Sequence, residues 1–228
     1  MTSFALQVTI AMLFSSLLAR SAAVQSWRHA LRPPLSMSPK GGGGRLSTAR
    51  RSSGRANVDT ISDSDKVLLA KACRSAEDIE KLGWDLAPRL QSGDVILLNG
   101  DLGAGKTTLS RGIIRSKFED ERMVVTSPSY LLDNSYQLDE QQFIHHMDLY
   151  RLPNGADLSM LGVPQIYEHS LCLIEWPERI AEAFMPRSYL TISISVASGG
   201  AQDGEDECRT VTFSSNDSAR WADRIKGL

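Results

Sequence analysis

Eight residues constrain this 228-residue chain more than the rest of it: Gly100-Asp101-Leu102-Gly103-Ala104-Gly105-Lys106-Thr107. The pattern Gly-x4-Gly-Lys-Thr forms a phosphate cradle only where a strand feeds it and a helix leaves it. Both contexts are present. Residues 94–99 (Asp-Val-Ile-Leu-Leu-Asn) read as a buried strand, and residues 106–116 read as the helix that follows. Gly103 and Gly105 let successive backbone N–H groups approach an anion, and the helix N-terminus adds its positive partial charge. Ala104 lies between them. Lys106 is placed to reach the β- and γ-phosphates of a nucleotide, the Thr107 hydroxyl to meet Mg2+, and Thr108 to add a phosphate contact.

The rest of the body fits an α/β fold. Ser75 reads as a helix cap, with Glu77 and Asp78 in the first turn and Ile79, Leu82, Leu86 and Leu90 at helical spacing. Pro88 should kink or end that helix. Residues 143–147 and 171–174 are short apolar runs suited to parallel core strands. Leu190, Ile192, Ile194 and Val196 alternate, residues 210–213 offer a partner strand, and Trp221, Ala222 and Ile225 suit a final amphipathic helix. The expectation is one P-loop NTPase domain over residues 65–228: a central, mostly parallel sheet flanked by helices, with a C-terminal strand pair and helix.

Charge divides the chain. Residues 1–58 hold eight basic residues and no acid, whereas the remainder carries 17 basic against 27 acidic residues. An acidic body argues against direct grip on nucleic acid, which needs Lys and Arg to displace counterions. Within the basic stretch, residues 4–19 are apolar but interrupted by Ser15 and Ser16, too short and broken for a membrane span of about 20 residues. They suit the apolar centre of a signal peptide, with Ser21-Ala22-Ala23 as small residues for cleavage. Residues 25–57, rich in Ser and Arg, then read as a transit peptide. Residues 1–58 are therefore expected to be a targeting leader that is removed, addressed to a plastid or alternatively to a mitochondrion, leaving a mature form with no membrane attachment. Cys73, Cys172 and Cys208 show no zinc-binding spacing.

A P-loop needs a carboxylate for the cation and a group to place the attacking water. Asp148 and Glu175 each stand at the end of a predicted strand, the edge where ligands meet a parallel sheet. Adjacent His145 and His146 must face opposite sides of a strand and cannot chelate one ion as a pair; packing or hydrogen bonding is the expectation for His146. Arg209 is a weak candidate for approaching the nucleotide.

Four motifs occur in order: the P-loop continued by Thr108, Thr126-Ser127-Pro128-Ser129-Tyr130, His146-Met147-Asp148-Leu149-Tyr150-Arg151-Leu152, and Leu173-Ile174-Glu175-Trp176-Pro177-Glu178. Over about residues 75–213 the chain resembles the bacterial-type ATPase of tRNA threonylcarbamoyladenosine biosynthesis, the TsaE (YjeE) family. The resemblance implies Lys106 as the phosphate lysine and Thr107 with Glu175 as the Mg2+ site. It further implies Asp148 as required for hydrolysis, Trp176 as a conformational reporter, and Thr126 and Ser127 in a switch-like loop. Ser129 replaces a more usual threonine of that loop. The implied partners are a threonylcarbamoyl transferase and its paralogous companion, with tRNA reached only through that complex. ATP hydrolysis would reset the complex between turnovers.

Other readings compete. A GTPase should carry Asn-Lys-x-Asp, which is absent from the sequence. A small-molecule kinase would bring an Arg-rich lid after residue 116, and no such cluster follows. A nucleotide-binding regulatory module without turnover would be separated from an ATPase by single-turnover hydrolysis.

Overall fold

The computed structural model describes residues 65–196 and 208–228. The expected leader over residues 1–58 lies outside them, as do residues 197–207. In chain order the elements are β1 (Lys66–Cys73), α1 (Ala76–Leu86), β2 (Val95–Asn99), α2 (Lys106–Lys117), β3 (Asp133–Gln137) and β4 (Phe143–Asp148). A short α3 (Gln165–His169), β5 (Ser170–Glu175), β6 (Leu190–Val196), β7 (Arg209–Ser215) and a single turn α4 (Ser218–Trp221) complete the series.

One seven-stranded sheet runs in the order β1-β7-β6-β2-β5-β4-β3. The inner strands β6, β2, β5 and β4 are mutually parallel, while β7 and β1 on one side and β3 on the other pair antiparallel. The parallel heart expected from the apolar runs is therefore present, and both margins are antiparallel. β2 is central because residues 95–98 are buried on both faces, which suits Val-Ile-Leu-Leu and would strand a polar residue. Its neighbours β5 and β6 place β2 at the switch of strand order, where the carboxyl ends of the strands open a crevice.

Alternation of side chains assigns the two faces. Ile96, Leu98, Ile144, Leu171 and Leu173 pack under α1 and α2 through Ile79, Leu82, Leu109 and Ile113. Val95, Leu97, Met147, Cys172 and Ile174 face the other way, against Leu149, Leu158, Val163, Tyr167, Ile180 and Tyr189. The two long helices expected to flank the sheet lie on the first face, and the second is covered differently. Its cover is irregular chain between β4 and β6 with only the five-residue α3 and short 3-10 turns.

α1 starts where the Ser75 hydroxyl accepts from Asp78 N at 3.1 Å. It stops at Leu86, with Pro88 inside the 3-10 turn that follows, because proline has no N–H to continue the ladder. The expected final helix is reduced to the one turn of α4; Trp221 and Ile225 are buried as anticipated, but Ala222 is exposed. What anchors this segment is charge. Asp94, fully buried at the entry to β2, receives Arg220 Nη2 at 2.6 Å and a second bridge from the Arg224 guanidinium. Arg224 also donates to the Arg89 carbonyl, and Arg89 returns bonds of 2.8 Å to the carbonyls of Arg224 and Lys226. Asp94→Ala is expected to cost about 3 kcal/mol, since it leaves guanidinium groups without their buried counter-charge. A urea midpoint unchanged from wild type would contradict that account.

Candidate nucleotide-binding site

The loop between β2 and α2 holds backbone conformations that other residues resist. Gly100 has φ +142°, and a Cβ there would lie 2.5 Å from the Ile194 carbonyl oxygen. Gly105 has φ +114°, and a Cβ would lie 2.9 Å from Ile79 Cδ1. Gly105 caps α2 with no side-chain acceptor, so the first-turn N–H groups of a twelve-residue helix remain available to an anion. Ala104 turns inward, buried against the core, and its N–H closes the turn onto Asp101 O at 3.1 Å.

A cleft of about 200 Å³ opens beside this loop, lined by Gly103, Gly105, Lys106, Thr107, Thr108 and residues of three other segments. Lys106 is only 5% exposed. Its Nζ donates to Gly100 O at 2.7 Å and Asp101 O at 2.9 Å, and sits 4.0 Å from the centroid of the Trp176 ring. Burial pushes its ammonium below the ordinary lysine value, while Glu175 and Asp148 oppose the shift. Trp176, just past β5, adopts the left-handed φ of +62°, uncommon outside glycine, and its ring lies 4.8 Å from that of Tyr150.

The two strand-end acids are neighbours: Asp148 and Glu175 pair in register at the ends of β4 and β5, and both are nearly buried. Glu175 Oε1 accepts from the Thr107 hydroxyl at 2.8 Å, joining the two oxygen groups that a hard cation would use. Asp148 points to the loop of residues 126–130. Its Oδ2 accepts from Ser127 Oγ at 3.0 Å and from Ser129 Oγ, and its Oδ1 accepts from Tyr150 N at 3.1 Å.

The expected site residues do not all converge. Lys106, Thr107, Thr108, Ser127, Asp148, Glu175 and Trp176 line the cleft. Thr126 does not: it is exposed, and its carbonyl accepts from Asn134 Nδ2 at 3.2 Å. Arg209 lies in β7, opposite Cys73 and Val196, and is not among the cleft-lining residues. The sequence reading missed Leu102 and Tyr150 in the lining, and Ser129 as a partner of Asp148. The signal for Ser129 was its retained hydroxyl, which keeps the bonding capacity of threonine. His146 bonds rather than packs, its Nε2 lying 2.8 Å from Glu175 Oε1.

A Gly-Lys-Thr loop after the central strand, a bare helix N-terminus and two acids on adjacent strand ends define a P-loop nucleotide-binding protein. The family model described as "Threonylcarbamoyl adenosine biosynthesis protein TsaE" matches residues 73–203, and the chain belongs to that family. It is 40% identical over 112 residues to the tRNA threonylcarbamoyladenosine biosynthesis protein TsaE of Rickettsia conorii, covering 49% of this chain and 63% of that one. The same-named protein of Streptomyces coelicolor is 35% identical over 147 residues, covering 63% of this chain and 94% of its own. Among solved structures, the chain is similar to Bacillus subtilis YdiB, with a TM-score of 0.50 and 28% identity over 66% of this chain and 86% of the other.

Proposed function

We propose that this protein is a Mg2+-dependent ATPase serving threonylcarbamoyl modification of the adenosine beside the anticodon in tRNAs that read codons beginning with A. Hydrolysis resets the transferase complex between turnovers. The observation that carries the reading is the grouping of Thr107, Glu175 and Asp148 at the mouth of the P-loop, two of them bonded to each other and the third to a loop. The donor set suits Mg2+. Among the described residues no three His, Cys, Asp or Glu side chains form a metal cage, and Mg2+ is usually held by one or two protein oxygens together with substrate phosphates. Thr107 and Glu175 would hold the cation, which when bound would supply positive charge to a transferring phosphoryl group.

Lys106 must leave the Gly100 and Asp101 carbonyls to reach a phosphate, and Trp176, stacked on it, reports that movement. Asp148 holds Ser127 and Ser129, so the same acid that would place water also fixes the loop that would feel the γ-phosphate. That loop exposes Tyr130 and Leu131, with the Arg151 guanidinium 4.3 Å over the Tyr130 ring, and so offers a partner an apolar surface joined to the site through Asp148. This supports a protein partner that reads the nucleotide state, the transferase or its companion, with tRNA reached through the complex.

In a reconstituted modification assay, Asp148→Ala is expected to allow at most about one round of modification per complex, because resetting fails. Many turnovers with that variant, or without this protein, would remove the reset role. For the leader, a reporter fused after Asn57 is expected to enter a plastid, or failing that a mitochondrion. A diffuse cytosolic signal would refute the organellar address.

A further inference from the structure

His146 and Asp148 stand two residues apart on the face of β4 that turns toward α2. Asp148 serves the serine loop, whereas His146 lies one rung deeper, level with Leu173, and is fully buried. A buried imidazole among Ile144, Leu171 and Leu173 is costly unless it is bonded. Its bond goes to Glu175 Oε1, at 2.8 Å from Nε2. The Thr107 hydroxyl meets the same oxygen, also at 2.8 Å. Both donors thus fall on Oε1, and no hydrogen bond among the described residues reaches Oε2.

The other ring nitrogen decides the tautomer. His146 Nδ1 is buried with no hydrogen-bond partner. A bare lone pair there is cheaper to bury than an N–H, and a carboxylate oxygen accepts but cannot donate. The proton therefore sits on Nε2, and His146 is a donor to Glu175.

We propose that His146 is the positioning residue for the Glu175 carboxylate. Its Nε2–H pins Oε1 from below while Thr107 spends its only proton on the same atom. Two ligands are oriented by this one arrangement: Oε2 of Glu175 and the lone pairs of Thr107 Oγ1 are both left for a divalent cation bound with nucleotide. Without His146 the carboxylate can swing about its terminal torsion and present either oxygen, so the cation site loses its shape rather than its charge. The proposal rests on the reading of Glu175 as the cation-binding acid.

The test compares the full chain with His146→Leu and His146→Gln, measuring Mn2+ binding by paramagnetic resonance in the presence of a non-hydrolysable ATP analogue, and analogue binding without metal. A glutamine amide can donate from about where Nε2 lies. The leucine variant is expected to bind Mn2+ about tenfold or more weakly while metal-free analogue affinity is unchanged, and the glutamine variant to recover most of the loss. A folded leucine variant that binds Mn2+ like wild type, or a glutamine variant as weak as leucine, overturns the proposal. Should leucine fail to fold, the nitrogen-15 spectrum of histidine-labelled wild type decides: a proton on Nε2 upholds the arrangement and a proton on Nδ1 overturns it. Wild type that binds no Mn2+ with the analogue would instead overturn the cation-site reading of Glu175 on which the proposal stands.

Discussion

Gly112→Ala is expected to destabilise the protein by about 3 kcal/mol or more, although it adds a single methyl group to a helix and replaces glycine by the best helix former. Helix propensity alone would predict a gain of about 1 kcal/mol. Packing decides otherwise. A Cβ on Gly112 would lie 2.0 Å from the Glu80 carbonyl oxygen and 3.0 Å from Trp84 N, so α1 and α2 meet there backbone to backbone. The contact is reciprocal, since a Cβ on Gly83 of α1 would lie 2.3 Å from the Leu109 carbonyl oxygen of α2. Neither obstacle is a side chain that can rotate away. The helices must separate, and that disturbs Ile79, Leu82, Leu109 and Ile113, all buried between helix and sheet. The bridge from Arg115 to Glu80, 2.5 Å long, spans the same seam and would stretch. Because Lys106 and Thr107 form the first turn of α2, any folded fraction should also bind nucleotide more weakly. Urea unfolding gives the measurement, and a midpoint equal to or above wild type would show that the helices are not held at this distance. Gly83→Ala should act alike, and the double variant should cost less than the two singles together, because one contact is lost only once.

Those glycines were invisible as packing residues in the sequence, where a glycine inside a helical pattern looks only like a weak helix former. The P-loop, by contrast, was legible because its chemistry needs particular residues at fixed spacing, and β2 and β5 were legible as the apolar runs that burial on both faces favours, while β4 was marked by Phe143, Ile144 and Met147 despite its two histidines. The edge strands were not. β3 is Asp-Asn-Ser-Tyr-Gln, a composition that reads as a turn, and it becomes a strand only because β4 offers it a ladder. β1 mixes Lys66 and Lys71 with apolar residues and only its last residue, Cys73, is buried, so no clean alternation marked it. At the site, Asp148 and Glu175 were found by their place at strand ends. Their partners were not, because the Asp148–Ser129 and Glu175–His146 bonds join segments 19 and 29 residues apart and depend on register between strands.

Lys106→Ala and Glu175→Gln are expected to stop hydrolysis by separable routes. Lys106 is a buried cation whose hydrogen bonds, in this structure, go to two carbonyls rather than to an acid. Charge-assisted bonds to phosphate would replace them, so removing the side chain should weaken nucleotide binding by about two orders of magnitude with or without metal. Its effect on fold stability should depend on pH. Burial lowers the folded-state value below the ordinary 10.5, so the unfolded chain holds the proton more tightly and wild-type stability rises with pH across that interval. The alanine variant should lose that rise, which a series of unfolding curves from neutral to alkaline pH would show. Glu175→Gln behaves differently because the amide oxygen can still accept from Thr107 and His146, so no buried donor is orphaned and the fold should hold. What disappears is the negative charge facing the cation. Nucleotide should still bind without metal, displacing Lys106 from the Trp176 ring and changing its fluorescence, while the dependence on Mg2+ and the hydrolysis both fall away. Hydrolysis at the wild-type rate by Glu175→Gln would remove Glu175 from the cation site even if the phosphate role of Lys106 stood.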